Sequence, residues 1–117
     1  METVQQTLSA LVSRPDVTGA AFVSEEGLLV AARLPDTADA EAIAALGASL
    51  LRDAAQLAGA VGRPAPERMV CDTGAGMLVL GRLGSGAAVV VLASPGADVG
   101  LLLFHLRQQQ AALAALL

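Results

Sequence analysis

Lysine, asparagine, tryptophan and tyrosine are all missing from this chain, and cysteine and histidine occur once each. Each absence excludes a kind of chemistry. Without Lys there is no Walker-type phosphate loop, whose glycines must be followed by one. The glycines Gly74 and Gly76 lie between two strands rather than opening a helix, so they are not a dinucleotide fingerprint. A nucleophilic triad would have to use His105, the only imidazole, yet His105 falls on the polar side of a helix and no Ser sits in a nucleophile elbow. No catalytic residue is therefore expected, and the chain does not read as an enzyme. Cys71 cannot form an internal disulfide, and its Met- and Val-rich strand makes it a structural thiol. No cluster of His, Cys and carboxylates has metal-ligand spacing, so neither a metal nor a cofactor is expected. Asp36, Asp39 and Glu41 crowd a helix start, where carboxylates serve the cap and the dipole. Glu25-Glu26 reads as a solvated turn. All seven cations are Arg, scattered without a stripe, and nucleic-acid binding needs a basic patch. Phe22 and Phe104 are the only aromatics, a poor lining for a small-molecule pocket.

What is present is apolar surface. The 117 residues suit one domain spanning 1–117. Hydrophobic residues make up 55% and the mean hydropathy is +0.64. A monomer of this size buries only about two-thirds of the surface its unfolded chain exposes, so one small core cannot hide so much, and an oligomer is expected. A membrane span is the competing reading of the nearly uncharged stretch Gly74–Pro95. It fails because Arg82 sits in its middle and Gly76, Gly81, Gly84 and Gly86 divide it into two short strand-like runs. No basic flank precedes an apolar run at the N-terminus, so the expected compartment is the cytoplasm.

The patterning predicts helix, hairpin, long helix, three-strand meander and helix. Val4, Leu8, Leu11 and Val12 make one helical face, ended at Arg14-Pro15-Asp16. Val17–Ser24 and Leu28–Leu34 read as strands joined at Glu25-Glu26-Gly27, with Gly27 in the left-handed region. Asp36, Thr37 or Asp39 can cap a helix that runs from Asp39 to Val61, with Gly62 and Pro64 beyond it. On that helix Ile43, Leu46, Leu50, Ala54, Leu57 and Val61 read as the core face. Beside it runs a stripe of small residues, Ala44, Ala48, Leu51, Ala55 and Gly59, which would admit a second helix closely. Strands follow at Glu67–Thr73, Met77–Leu83 and Ala87–Ser94, separated by Gly74-Ala75-Gly76 and Gly84-Ser85-Gly86. Asp98 caps a last helix whose Val99, Leu102, Leu103, Leu106 and Leu113 face the core, leaving Leu101 and Phe104 outward.

The order of these elements resembles the Roadblock/dynein light chain family. VTGAAFVSEEGLLVA (Val17–Ala31) is similar to the family's first hairpin, with Gly27 on its turn glycine. RMVCDTGAGMLVLGRLGSGAAVVVLA (Arg68–Ala93) is similar to its third to fifth strands. ADVGLLLFHLRQ (Ala97–Gln108) resembles the start of its last helix, with Gly100 on the glycine and Leu106-Arg107 on the leucine-arginine pair. Asp98 stands where the family often has Asn; either caps a helix.

The resemblance implies an α+β, profilin-like Roadblock domain with a five-stranded antiparallel sheet between helices. It implies a homodimer in which the long helices pack side by side and the third strands pair across the two-fold axis. Ala44, Ala48, Leu51, Ala55 and Gly59 would then line the helix seam, and Met69 and Cys71 the strand seam. Bacterial members of the MglB type act on a Ras-like small GTPase, MglA, which suggests a non-enzymatic regulator that stabilises the GTPase switch loops. Glu41, Arg52, Asp53 and Gln56, on the polar side of the long helix, would meet that GTPase. The alternative is a structural adaptor that joins Roadblock or longin-like domains without reading a nucleotide. Neither nucleic acid nor membrane is an expected partner.

Overall fold

The computed structural model describes residues 3–84 and 86–116. Its elements follow the expected order: α1 (Val4–Val12), β1 (Val17–Val23), β2 (Leu29–Arg33), α2 (Ala40–Ala60), β3 (Arg68–Asp72), β4 (Met77–Leu83), β5 (Ala87–Ala93) and α3 (Val99–Ala115). Ser85, in the expected β4–β5 turn, lies outside the described residues, as does Leu117 at the end of the expected last helix.

Helix starts are set by side-chain caps. Thr3 Oγ1 accepts from the Gln6 N–H at 3.1 Å while Gln6 Oε1 accepts from the Thr3 N–H at 2.8 Å, a reciprocal capping box. Asp39, of the three candidates, caps α2 by accepting from Ala42 N–H at 3.1 Å. Asp98 caps α3 through Leu101 N–H at 3.0 Å. Each cap satisfies a backbone donor that the helix itself cannot.

The strands form one antiparallel sheet in the order β2-β1-β5-β4-β3. Its central strand shows how the two faces are served. Val89 and Val91 of β5 join Leu8, Leu11, Phe22, Leu102, Leu106 and Leu113 in a core under α1 and α3. Val90 and Ala88 join Val23, Leu80, Ala44, Ala48 and Leu51 in a second core under α2. Side chains alternate along a strand, so a strand covered on both sides must be apolar throughout. That is why AAVVVLA carries no charge. At one edge of the sheet a register shift between Phe22 and Val23 bends the β1–β2 ladder beside its turn. At the other edge Arg68 Nη1 donates to Gln110 Oε1 at 3.3 Å and Gln110 Nε2 donates to the Arg82 carbonyl at 3.2 Å, tying α3 to β3 and β4.

The β3–β4 turn depends on Gly76. Its φ is +126°, and a Cβ there would stand 2.6 Å from the Ala93 carbonyl oxygen. Both the backbone angle and the close approach require glycine. Gly76→Ala is expected to cost about 2 kcal/mol and to lower Tm by roughly 10 °C, measured by thermal circular dichroism. An unchanged Tm would mean that the turn relaxes without cost.

The orientation of α2 departs from the sequence reading. The small-residue stripe, not the large one, faces the sheet. Ala44 and Ala48 are 1% and 6% exposed, and Leu51 and Gly47 are buried with them. Leu46 and Leu57, expected in the core, are 68% and 70% exposed, and Leu50 and Val61 are exposed too; Ile43 and Ala54 are half-buried. The reason is bulk. The sheet already presents Val23, Leu80 and Val90 to α2, and a Cβ on Gly47 would lie 3.2 Å from Val90 Cγ2. A helix settles on such a surface through its smallest residues, because interiors admit no excess volume.

Candidate interaction surface

α2 has three longitudinal faces. The small residues are spent on the protomer's own core. On one flank Leu46, Leu50, Leu57 and Val61 form an exposed apolar row. On the other lie Glu41, Arg52 and Gln56, all exposed, with exposed Asp53 nearer the leucines. Glu41 and Arg52 are eleven residues apart, about three helical turns, and so share a face.

The apolar flank borders a groove. α2 packs over β1, β2 and β5 and leaves β4 and β3 thinly covered on that side. Between helix and sheet an open groove of about 240 Å³ is lined by Ile43, Leu46, Gly47 and Leu50 of α2, with Leu78 and Leu80 of β4 and Val90 and Leu92 of β5. Beyond it Met69 and Cys71 of β3 lie half-buried on the same sheet face, opposite Leu80 and Leu78 in the β3–β4 register. β3 is an edge strand with β4 as its one strand neighbour among the described residues. An exposed row of leucines, an apolar groove and an open strand edge thus form one continuous surface. Such surfaces mark contact with another protein.

The residues expected to line the helix seam do not share that surface. Ala44, Ala48 and Leu51 lie beneath the helix, buried against the protomer's own sheet. Ala55 is half-buried and Gly59 exposed, both away from the leucine row. Met69 and Cys71 do border the groove. Leu46, Leu50 and Leu57 were missed as surface residues. The signal that could have found them is the bulk of the apolar runs in β4 and β5, which calls for small residues on the helix above.

Among the described residues no group of three His, Cys, Asp or Glu side chains is placed to hold a metal. His105 stands edge-on to exposed Phe104, ring centroids 5.9 Å apart. Leu101 and Phe104 are exposed as expected, and Leu102, Leu106 and Leu113 buried. No helix among the described residues is long and apolar enough to cross a membrane.

The sequence model of the Roadblock/LC7 domain matches residues 3–93. The chain belongs to the Roadblock/LC7 family. This Roadblock domain is also similar to solved structures over nearly its whole length. MglB from Myxococcus xanthus superposes with a TM-score of 0.85 at 17% identity, covering 97% of this chain and 96% of that one. An MglB described with a tetrameric arrangement gives 0.86 at 20% identity, with 96% and 85% covered. A Roadblock/LC7 domain from Streptomyces avermitilis gives 0.69 at 31% identity, with 92% and 95% covered. At their identities the two MglB likenesses are likenesses of fold. No curated protein matches the sequence. α3, beyond the matched residues, returns to the sheet and supplies Leu102, Leu106 and Leu113 to the core.

Proposed function

We propose that this Roadblock domain is a homodimeric, non-catalytic regulator of a small Ras-like GTPase of the MglA kind, working in the cytoplasm. The observation that carries the reading is the division of α2 into an apolar flank and a polar flank beside an open sheet edge. A second copy covers the apolar flank: the leucine rows of two α2 helices pack together, and two β3 edges pair beneath them, with Met69 and Cys71 at the seam. A two-fold contact of this kind is self-complementary and closed. It would bury the surface that a 117-residue chain cannot hide alone. The tetrameric arrangement of an MglB of the same fold supports assembly through this domain.

Glu41, Arg52, Asp53 and Gln56 remain on the solvent side of α2 and meet the GTPase. The protein supplies no nucleophile or base. It acts by binding: the switch loops of a Ras-like GTPase are ordered by the γ-phosphate, and a surface that fits the ordered loops holds the GTPase's own residues in place for hydrolysis. A surface that binds only one state shifts the equilibrium by its differential affinity.

Capture from native cytoplasm with GTPγS or GDP, read by mass spectrometry, tests the proposal. A Ras-like GTPase retained at least tenfold better with GTPγS is the expected result. Partners indifferent to the nucleotide would replace the regulator with an adaptor that joins Roadblock or longin-like domains.

A further inference from the structure

Arg82 is the charge that interrupts the apolar run of β4. In the strand register it lies opposite Ala88 of β5 and, two residues from Leu80, on the α2 side of the sheet. The residue is partly buried, yet the ion pairs among the described residues are Arg14–Asp16 and Arg68–Glu67. The Arg82 guanidinium nitrogens are not among the buried atoms left without a partner, so the stem is covered while the head meets solvent. With no counter-ion among the described residues, the donors of its planar fork are free for a ligand.

Arg82 lines a second depression, separate from the leucine groove. It is an open pocket of about 150 Å³ between α2 and the ends of two hairpins, lined by Arg52, Ala55 and Leu51 of α2, Arg82, Gly86 and Glu25. Arg52 brings a second guanidinium, also without an ion pair. Glu25 is held at the rim by the bare Cα of Gly86, whose φ is +97°: a Cβ there would stand 2.8 Å from Glu25 Cγ and 3.2 Å from Oε1. Glu25 therefore packs against the turn and pairs with neither arginine. The pocket exceeds the share of several water molecules, each about 30 Å³, and so has room for a small hydrated anion.

We propose that this pocket is an oxyanion-binding site that takes one carboxylate or phosphate group between Arg52 and Arg82. Arginine forks match both groups with paired N–H···O bonds. Glu25 opposes the bound charge from the rim and keeps the site weak until an anion arrives with further contacts of its own. A phosphate-bearing solute and an acidic side chain of a docking protein present the same chemistry here. The inference does not depend on the identity of that protein or on nucleotide switching.

The test is a titration of the intact protein, following arginine Nε–Hε resonances by NMR while inorganic phosphate or acetate replaces chloride at constant ionic strength. Arg52 and Arg82 are expected to shift together and saturably with a single dissociation constant. Arg82→Gln and the exposed-site variant Arg52→Gln are each expected to weaken it about tenfold. Glu25→Gln is expected to tighten it several-fold, a gain that no damage to the fold would produce. Phosphate bound tighter than acetate identifies a phosphate-bearing ligand; acetate bound as well as phosphate identifies a carboxylate side chain. Shifts that never saturate, or constants unchanged in Arg52→Gln and Glu25→Gln, would overturn the site.

Discussion

Replacing Leu46 with Arg is expected to turn the proposed dimer into a monomer while leaving the protomer folded. Leu46 is 68% exposed in the protomer, so the substitution disturbs no internal packing, and exposed Arg is a good helix former. In a two-fold seam every change occurs twice. Two leucines lose their burial, at about 2 kcal/mol each, and two like charges are brought together. A loss of about 4 kcal/mol or more raises the dimer dissociation constant roughly a thousandfold. Light scattering should report half the mass, with far-UV circular dichroism unchanged. The same variant should lose capture of the GTPase if docking spans both α2 helices. A full-mass, folded Leu46→Arg protein would place the seam elsewhere.

Ala48→Arg should behave in the opposite way, although it lies only two residues further along the same helix. Ala48 is 6% exposed, packed in the core with Val23, Leu80 and Val90, and its Cβ lies 3.5 Å from where a Cβ on Gly27 would stand. A guanidinium there has no room and no partner. Burying an unpaired charge costs about 3–5 kcal/mol and overpacking adds about 1–3 kcal/mol, against a total stability of about 5–15 kcal/mol for a typical domain. The expected outcome is loss of the helical signal and of soluble protein. A folded monomer from Ala48→Arg would instead mean that the small-residue stripe is the seam and that α2 is turned the other way. The two substitutions together therefore determine which side of α2 meets the sheet.

The pair also explains why that side was hard to read. The apolar arc of α2 covers more than half of the helix, from Leu46 and Leu57 through Ile43 to Ala44 and Ala48. Periodicity locates such an arc but does not say which half is buried within the protomer and which against a partner. Side-chain size suggests the large residues for the core. The sheet reverses that, because Val23, Leu80 and Val90 already fill the space beneath the helix. α3 had no such ambiguity. Its leucines at 102, 106 and 113 lie on one narrow stripe, and these are the ones buried.

Much of the fold was legible without the structure because local rules decide it. Asp39 and Asp98 mark helix starts, since only a side chain can accept from those first N–H groups. Gly27 marks a turn, since its φ of +86° favours a residue without Cβ. The doubly covered β5 is recognisable from seven residues without a charge. Element order and class follow from such signals, and with the family motifs they lead to the Roadblock domain. What only the tertiary structure decided is long-range. Which face of α2 is spent on the core depends on the bulk of strands some forty residues away. That Arg82 meets Arg52 and Glu25 in one pocket depends on two hairpin ends and a helix converging. Residues distant in sequence carry no local mark of such encounters, because the encounters exist only once the sheet has formed.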